Sequence, residues 1–408
     1  MEGNAMDTIN LKCFIKKIGY SLFFLTIIIS CKKKDNTVDN NTNVITPVIS
    51  ELSNPIFEFE YGNCYDYQDI GNNPLTVLST NDLIVSSIEY DGNVDKLQIS
   101  KLNANGLITW QKNFTQGYKF MAGNSFETST NNVIIIGTLI NQSDWTKSKV
   151  FIAKLNILTG DTIWTKSYGH NYIDIGVCGF EDVNNNYWIV DFSQQNHKAT
   201  LINLSSNGDS LTSIINNETT PPTYEDALIT SNKNVIMTGE SGNTTSGKTP
   251  VYICSYSENG IKNFSSDITL TNYDEIKVND ICEMSDGNYC IAGECYNFSN
   301  TSLRYGFLLK VDNNGNKIWE KILTQFNGSS IYSCIEKQSN ILYLGVGGSG
   351  NAKLYKYDLS SLTAINTNYA TSFNDIQLVF RNSKLYRALI DIKTSGYETV
   401  KIKAYTVN

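Results

Sequence analysis

A segment of about 50 residues recurs from near Asn63 to the last residue, and a period of that size confines the chain to one supersecondary unit stacked or arranged radially. Its best copy reads Asn279-Asp-Ile-Cys-Glu-Met-Ser-Asp-Gly-Asn-Tyr-Cys-Ile-Ala-Gly293 and continues as Gly306-Phe-Leu-Leu-Lys-Val-Asp-Asn-Asn-Gly-Asn-Lys-Ile-Trp-Glu-Lys321. Two sub-patterns carry it. In the first, an apolar run ends in a small residue five positions after a turn residue. Starting from Asp82, Asn132, Asn186, Asn234, Asn288, Asn340 and Ser383, the run reaches Ser87, Gly137, Asp191, Gly239, Gly293, Gly345 and Ala388. Small residues are expected where another backbone approaches a strand closely, and Asp191 alone departs from that rule.

The second sub-pattern is an apolar strand, a tight turn and an aromatic. The turns are Asn105-Gly106, Thr159-Gly160, Asn207-Gly208, Asn259-Gly260 and Asn314-Gly315, and Trp110, Trp164, Phe264 and Trp319 each lie four residues past a glycine. Asn-Gly between apolar runs is a strong hairpin signal, because the favoured two-residue turn takes positive φ at both central positions. Each unit therefore supplies four strands, a to d. Past the N-terminal apolar stretch no segment sustains a helical period.

Strand counting predicts a closed ring. The last unit supplies strand a (Gln377 to Phe380), b (Leu385 to Asp391) and c (Thr399 to Tyr405), then ends where d is due. Ile56-Phe-Glu-Phe-Glu-Tyr-Gly62 looks like the d strand Ile163-Trp-Thr-Lys-Ser-Tyr-Gly169. An N-terminal d strand completing the C-terminal blade removes two exposed sheet edges. The expectation is an all-β, seven-bladed β-propeller over residues 55–408. Its blades run from Asn63 to Gln116, Gly117 to Gly169, His170 to Asn217, Glu218 to Leu270, Thr271 to Gln325, Phe326 to Ala370, and Thr371 to Asn408 with Ile56 to Gly62. The sixth unit, with Ser360-Ser361 in place of Asn-Gly, is the most degenerate.

The fifth unit resembles the repeat of bacterial propeller lipoproteins and secreted proteins, which runs Asp, Ser-Asp-Gly-Gly-Tyr, apolar run to Gly, Lys-Leu-Asp-x-Asn-Gly, Trp-x-Lys. Trp110-Gln-Lys112, Trp164-Thr-Lys166 and Trp319-Glu-Lys321 match its Trp-x-Lys element. Ala153-Lys-Leu-Asn-Ile-Leu-Thr-Gly-Asp-Thr-Ile-Trp164 is similar to the repeat of quinoprotein-type propellers. These motifs are structural in such families, so the resemblance implies a fold and no activity.

At the N-terminus, Lys12, Lys16 and Lys17 precede an apolar stretch from Ile18 to Ile29 that ends in Ile28-Ile-Ser-Cys31. A basic region, about a dozen apolar residues and a small residue before the cut describe a secretory signal. That length is short of the ~20 residues needed to span hydrocarbon. The cysteine at the cut looks like a bacterial lipobox, so residues 1–31 are expected to be a lipoprotein signal and Cys31 the acylated, palmitate-bearing first residue of the mature chain. Residues 32–54, rich in Asn, Thr and Asp, read as a flexible tether. Lys32 after the cysteine resembles outer-membrane retention, which implies the cell envelope of a Gram-negative bacterium, with the propeller periplasmic or surface-facing.

A chain of 408 residues, 41% hydrophobic, can bury a large core, and a net charge of −8 argues against a nucleic-acid partner. Of nine cysteines, Cys13 lies in the signal and Cys31 at the cut, leaving Cys64, Cys178, Cys254, Cys282, Cys290, Cys295 and Cys334. Seven is odd, so at least one thiol stays free unless it pairs outside the chain. Cys178, Cys282 and Cys334 fall in strand a of three blades as small packing residues. Cys282 with Cys290, across the a to b turn, is the first pair to test for a disulfide.

Catalytic signals are sparse. His170 and His197, the two histidines, lie in loops with no recognisable nucleophile motif, and the adjacent cysteine pair of quinoprotein dehydrogenases is missing. Asp312-Asn-Asn-Gly and Asp182-Val-Asn-Asn-Asn are oxygen-rich but lack the full calcium-loop pattern, so they read as turns. No cofactor and no metal is expected.

An acid recurs at the start of strand a: Asp69, Asp174, Asp226, Asp280 and Asp375. Five carboxylates there either ring one mouth of the central channel or, more simply, accept backbone N–H bonds in the d to a turns. The b to c loops (Asn141 to Lys149, Ser241 to Pro250, Tyr296 to Tyr305) are long and share a face with the d to a connections. That face carries Trp145, Tyr118, Tyr172, Tyr224, Tyr273, Phe298 and Tyr305, and aromatics on scaffolded loops are frequent recognition anchors. The expectation is a non-enzymatic, monomeric binding or scaffold module for a protein or carbohydrate ligand. An outer-membrane assembly factor and a glycan-active propeller enzyme are the alternatives.

Overall fold

The computed structural model describes residues 55–64, 73–90, 95–115, 119–141, 144, 147–169, 173–193, 198–216, 218, 222–242, 247–326, 328–338, 341–347, 353–358, 362–366, 372–392 and 398–406. They form seven antiparallel blades arranged as a β-propeller. Five blades are separate four-stranded sheets in chain order: Lys119–Tyr168, Asp174–Ile215, Thr223–Ile268, Glu275–Leu323 and Ser330–Asn366. Blade 1 contains Leu75–Val77, Leu83–Tyr90, Asp95–Leu102 and Ile108–Phe114. Blade 7 contains Ser372–Arg381, Lys384–Ile392 and Glu398–Thr406, and its outer strand is Phe57–Cys64.

The closing strand is as expected. Phe57–Cys64 pairs antiparallel with Glu398–Thr406, with Phe57 opposite Ala404 and Phe59 opposite Ile402. Glu58 lies 3.0 Å from Lys403 and 3.3 Å from Lys401. Asn63 then bridges in parallel to Glu89, which joins the first and last blades into one hydrogen-bonded sheet.

Burial explains the sequence texture of each strand. Strand b is sandwiched between neighbouring blades, so Asn132–Ile140 is buried almost throughout and reads as one apolar run. Strand d faces solvent on one side, so Thr162–Tyr168 alternates between exposed and half-buried. At its two tightest positions the small residue of strand b has the same cause. Gly239 and Gly293 lie opposite a bulge in strand a, and a Cβ there would sit 1.9 Å from the Thr223 carbonyl oxygen or 2.0 Å from that of Lys277. Blade 3 solves the same contact in reverse: Asp191 takes the small position, and its partner across the ladder is Gly176.

Two repeated contacts lock successive blades together at the short-turn end, the first at five junctions and the second at four among the described residues. In the first, the strand d aromatic covers the next blade's c to d turn glycine. A Cβ on Gly106 would sit 2.6 Å from the Phe57 ring, and one on Gly160 would sit 2.7 Å from Trp110. Trp164 over Gly208 and Phe264 over Gly315 repeat this. In blade 3, which lacks the tryptophan, Ile214 covers Gly260 instead. The Trp110 and Trp164 indoles also donate to carbonyls of the next blade, Ile157 at 3.0 Å and Ser206 at 3.2 Å.

In the second lock, a glutamate ending strand a accepts the N–H of a serine in the preceding blade's a to b turn. The pairs are Ser79 with Glu127, Ser129 with Glu181, Ser231 with Glu283 and Ser285 with Glu336, at 2.5 to 2.7 Å. The two oxygen-rich loops are turns, as expected: Asp182 and Asp312 accept N–H bonds from residues two and four further on. Among the described residues no helix is long and apolar enough to cross a membrane.

Candidate functional site

The face opposite those locks carries a cleft on blade 5. Strand d of blade 4 ends at Ile268, and the chain crosses through Thr271, Asn272 and Tyr273 to strand a of blade 5 (Glu275–Glu283). This connection is tied to the b to c segment of its own blade. Asp274 N–H donates to Asn297 Oδ1 at 3.2 Å, and the Asp274 carboxylate accepts Phe298 N–H at 3.2 Å. The Tyr296 to Tyr305 segment, expected as a loop, is instead an extended hairpin. Asn297 pairs with Asn300, leaving a two-residue turn of Phe298 and Ser299. Alternation is clear only over Leu303-Arg304-Tyr305, and the turn lacks the glycine that marks a hairpin. Arg304 stiffens this hairpin through Glu294 (2.8 Å) and lies 4.7 Å from the Tyr296 ring centre.

The cleft between the connection and the hairpin has a volume of ≈ 510 Å³ and is lined by Tyr273, Tyr305, Asn297, Asn300, Leu303 and Glu320, among others. Tyr273 and Tyr305 meet edge to face, with centroids 6.2 Å apart. Burial raises the Tyr273 phenol above its ordinary pKa, so it stays a neutral donor. At Glu320, burial pulls the carboxyl upward, but hydrogen bonds from Thr271 and Lys317 outweigh it and hold the group below its usual range. The cleft thus offers apolar ring surface, side-chain amides and one anionic acceptor. Sequence reasoning found its tyrosines and missed Asn297, Asn300, Leu303 and Glu320.

The remaining aromatics separate. Phe298 stands at the hairpin tip, 57% exposed. Tyr224 is packed into the seam of blades 3 and 4, stacked on Phe192 at 4.9 Å and edge-on to Tyr252 at 5.8 Å, so it supports the ring rather than presenting a surface. Trp145, Tyr118 and Tyr172 lie outside the described residues, as do Cys31, Asp69, His170 and His197.

The acids at the start of strand a do not share one register. Asp226 lies opposite Thr238 and Asp280 opposite Ala292, each one step before the small glycine of strand b. Cys178, not Asp174, holds that position in blade 3, and in blade 7 Asp375 pairs one step beyond Ala388. Asp226 and Asp280 are equivalent, and each reaches the next blade. Asp226 accepts Ile281 N–H at 3.2 Å, and Asp280 accepts Cys334 N–H at 2.5 Å. Asn73, ahead of strand a in blade 1, donates to Asp226 at 3.4 Å, so the side chains meet across the ring. Among the described residues no group of three or more His, Cys, Asp or Glu is arranged to hold a metal ion.

Burial raises the Asp226 carboxyl to about 6, and burial with the neighbouring Asp226 charge raises Asp280 well above its ordinary range. The folded state therefore keeps a proton that the unfolded chain releases near the usual carboxylate pKa. Stability contributed by Asp226 is present at low pH and is lost as pH rises from about 4 through 6, on the order of 3 kcal/mol, and Asp280 adds to the loss in the same direction. Urea denaturation is expected to give greater stability at pH 5 than at pH 7. Asp280→Asn is expected to flatten that difference, and an unchanged slope in this variant would remove the pair as its source.

The fold and the cleft define a seven-bladed β-propeller with a loop-face cleft, and solved structures of similar shape are propellers. The polysaccharide lyase Uly1 matches with a TM-score of 0.55 and 8% identity over 85% of this chain and 92% of that one. The Dos1 propeller matches with a TM-score of 0.50 and 11% identity over 88% and 96%. Puromycin hydrolase matches with a TM-score of 0.52 and 8% identity over 82% of this chain but 53% of its own. At these identities the likeness is one of fold. No protein-family model matches the chain, and no curated protein matches it in sequence.

Proposed function

We propose that the protein is a lipid-anchored, extracytoplasmic binding module that holds a protein or carbohydrate ligand in the blade 5 cleft. The observation that carries this reading is the cleft itself, where two tyrosine rings, paired asparagines and an ionised glutamate meet beside a stiffened hairpin. Both repeated inter-blade locks sit at the opposite end of the blades, so loop length can vary on the cleft side without loosening the ring. Hydrolysis of a glycosidic bond in the usual way takes two carboxylates. Glu320 is the one acid among the described residues lining the cleft, and binding requires no second. The anchor is proposed from the signal ending at Cys31 and from the repeat, which resembles that of bacterial propeller lipoproteins; residues 32–54 would give the propeller its reach from the outer membrane.

The test is retention of the protein on immobilised polysaccharides and on envelope-protein fractions. Phe298→Ala with Leu303→Ala is expected to lower retention by about tenfold while moving the Tm by about 1 °C or less, because both side chains are substantially exposed. Undiminished retention would place the ligand elsewhere. In cells, Cys31→Ser is expected to move the protein out of the membrane fraction, and persistence there would point to another anchor.

A further inference from the structure

We propose that Cys282 and Cys334 form a disulfide that joins blade 5 covalently to blade 6, with Cys290 left beside it as the thiol. Cys282 lies on strand a of blade 5, Cys290 directly opposite on strand b, and Cys334 on strand a of blade 6 (Ser330–Gln338). The three thiols occupy one buried cluster. Cys334 Sγ is 3.5 Å from Cys282 Sγ and 3.7 Å from the Cys290 carbonyl oxygen. Asp280 sets this approach by accepting the Cys334 N–H, which pins strand a of blade 6 against blade 5 where the sulfurs meet. The fold uses the three side chains only as core packing, and the cleft does not use them.

Sequence spacing favoured Cys282 with Cys290, but geometry favours the inter-blade pair. Residues directly opposite in an antiparallel ladder have Cβ atoms about 4.5–5.5 Å apart, at or beyond the upper end of disulfide separations of about 3.5–4.5 Å. The inter-blade sulfurs belong to separate sheets, free of the fixed spacing of a ladder pair, and already lie 3.5 Å apart.

The oxidant is a small-molecule or protein disulfide. One protein thiolate attacks it, breaking its S–S bond and releasing one thiol. The second protein thiolate then attacks the mixed disulfide, releasing the other. Two protein thiols become one disulfide, the oxidant becomes two thiols, and both protons end on them. Because all three cysteines are buried, the oxidant meets the first thiol before blades 5 and 6 dock, and docking then brings the second thiol onto the mixed disulfide. Its formation in the cell rests on the extracytoplasmic placement proposed above; its formation in vitro does not, so the two can fail separately.

The protein is refolded with oxidised and reduced glutathione, alkylated under denaturing conditions and mapped by mass spectrometry without reduction. A peptide linking Cys282 to Cys334 is expected, with Cys290 alkylated. Cys290→Ser should keep the link, and refolding in reductant should lower the Tm by about 5 °C, the effect of opening a loop of roughly 50 residues. Alkylation of all three cysteines, or a link from Cys282 to Cys290, overturns the proposal. Mapping the unaltered protein keeps this outcome available even where a substitution prevents folding.

Discussion

A chain beginning after residue 64 is expected to lose cooperative unfolding and to aggregate, because blade 7 is then left with three strands and an open edge at Glu398–Thr406. The full effect combines several losses: the ladder from Phe57 to Cys64, the packing of Phe57 and Phe59 against the core of blades 1 and 7, and the Phe57 ring over Gly106. A milder variant separates closure from expression failure. Phe57→Ala should cost about 2–3 kcal/mol, since its ring is partly buried, and should open blade 7 to protease ahead of the other blades. Unfolding that matches the unaltered protein, with cleavage distributed evenly, would show that the ring does not depend on its closing strand.

The second large effect is expected at the small residues of strand b. In Gly239→Ala or Gly293→Ala the new methyl would overlap a carbonyl oxygen of strand a, and the obstacle is backbone rather than the tip of a flexible side chain. The bulged strand has to move away from its partner, and with it the acid, Asp226 or Asp280, that bonds to the next blade. A loss of about 4 kcal/mol is expected, read as a fall in Tm of roughly 5–10 °C. Ala388 holds the corresponding place in blade 7, where strand a carries two register shifts instead of one. Ala388→Gly should therefore cost only about 1 kcal/mol. Equal tolerance of Ala at all three positions would mean that the close approach is not what selects small residues.

Much of the fold was legible because each repeated residue does one job at a blade junction. The Asn-Gly turns mark the glycines on which aromatics rest, and the alternation of Phe57 to Glu60 shows a strand in search of a sheet. The cleft was legible only in part. Aromatics flagged Tyr273, Phe298 and Tyr305, yet the same criterion selected Tyr224, whose ring fills a seam between blades, because residue type does not say which way a side chain turns. The acids misled for a related reason. Asp174 and Asp226 look alike in sequence, but the bulge of strand a lies between Gly176 and Cys178 in blade 3 and between Tyr224 and Asp226 in blade 4, so Asp174 stands before it, opposite Ser193, and Asp226 just after it. The serine and glutamate locks recur at a spacing of 48 to 52 residues, a signal present but overlooked because each residue alone is an ordinary surface type.

Among the described residues the contact of an outer-strand side chain over a turn glycine recurs at five successive junctions, from blade 7 through blade 5, and always runs the same way, each of these blades resting as guest on its successor as host. Duplicating or deleting a whole unit would recreate a junction of a kind already present, whereas a partial insertion would leave one host without a guest. Blade number is in this sense a more permissive variable for descent than blade boundaries, and a relative of this chain with six or eight units would need no new chemistry at its seams.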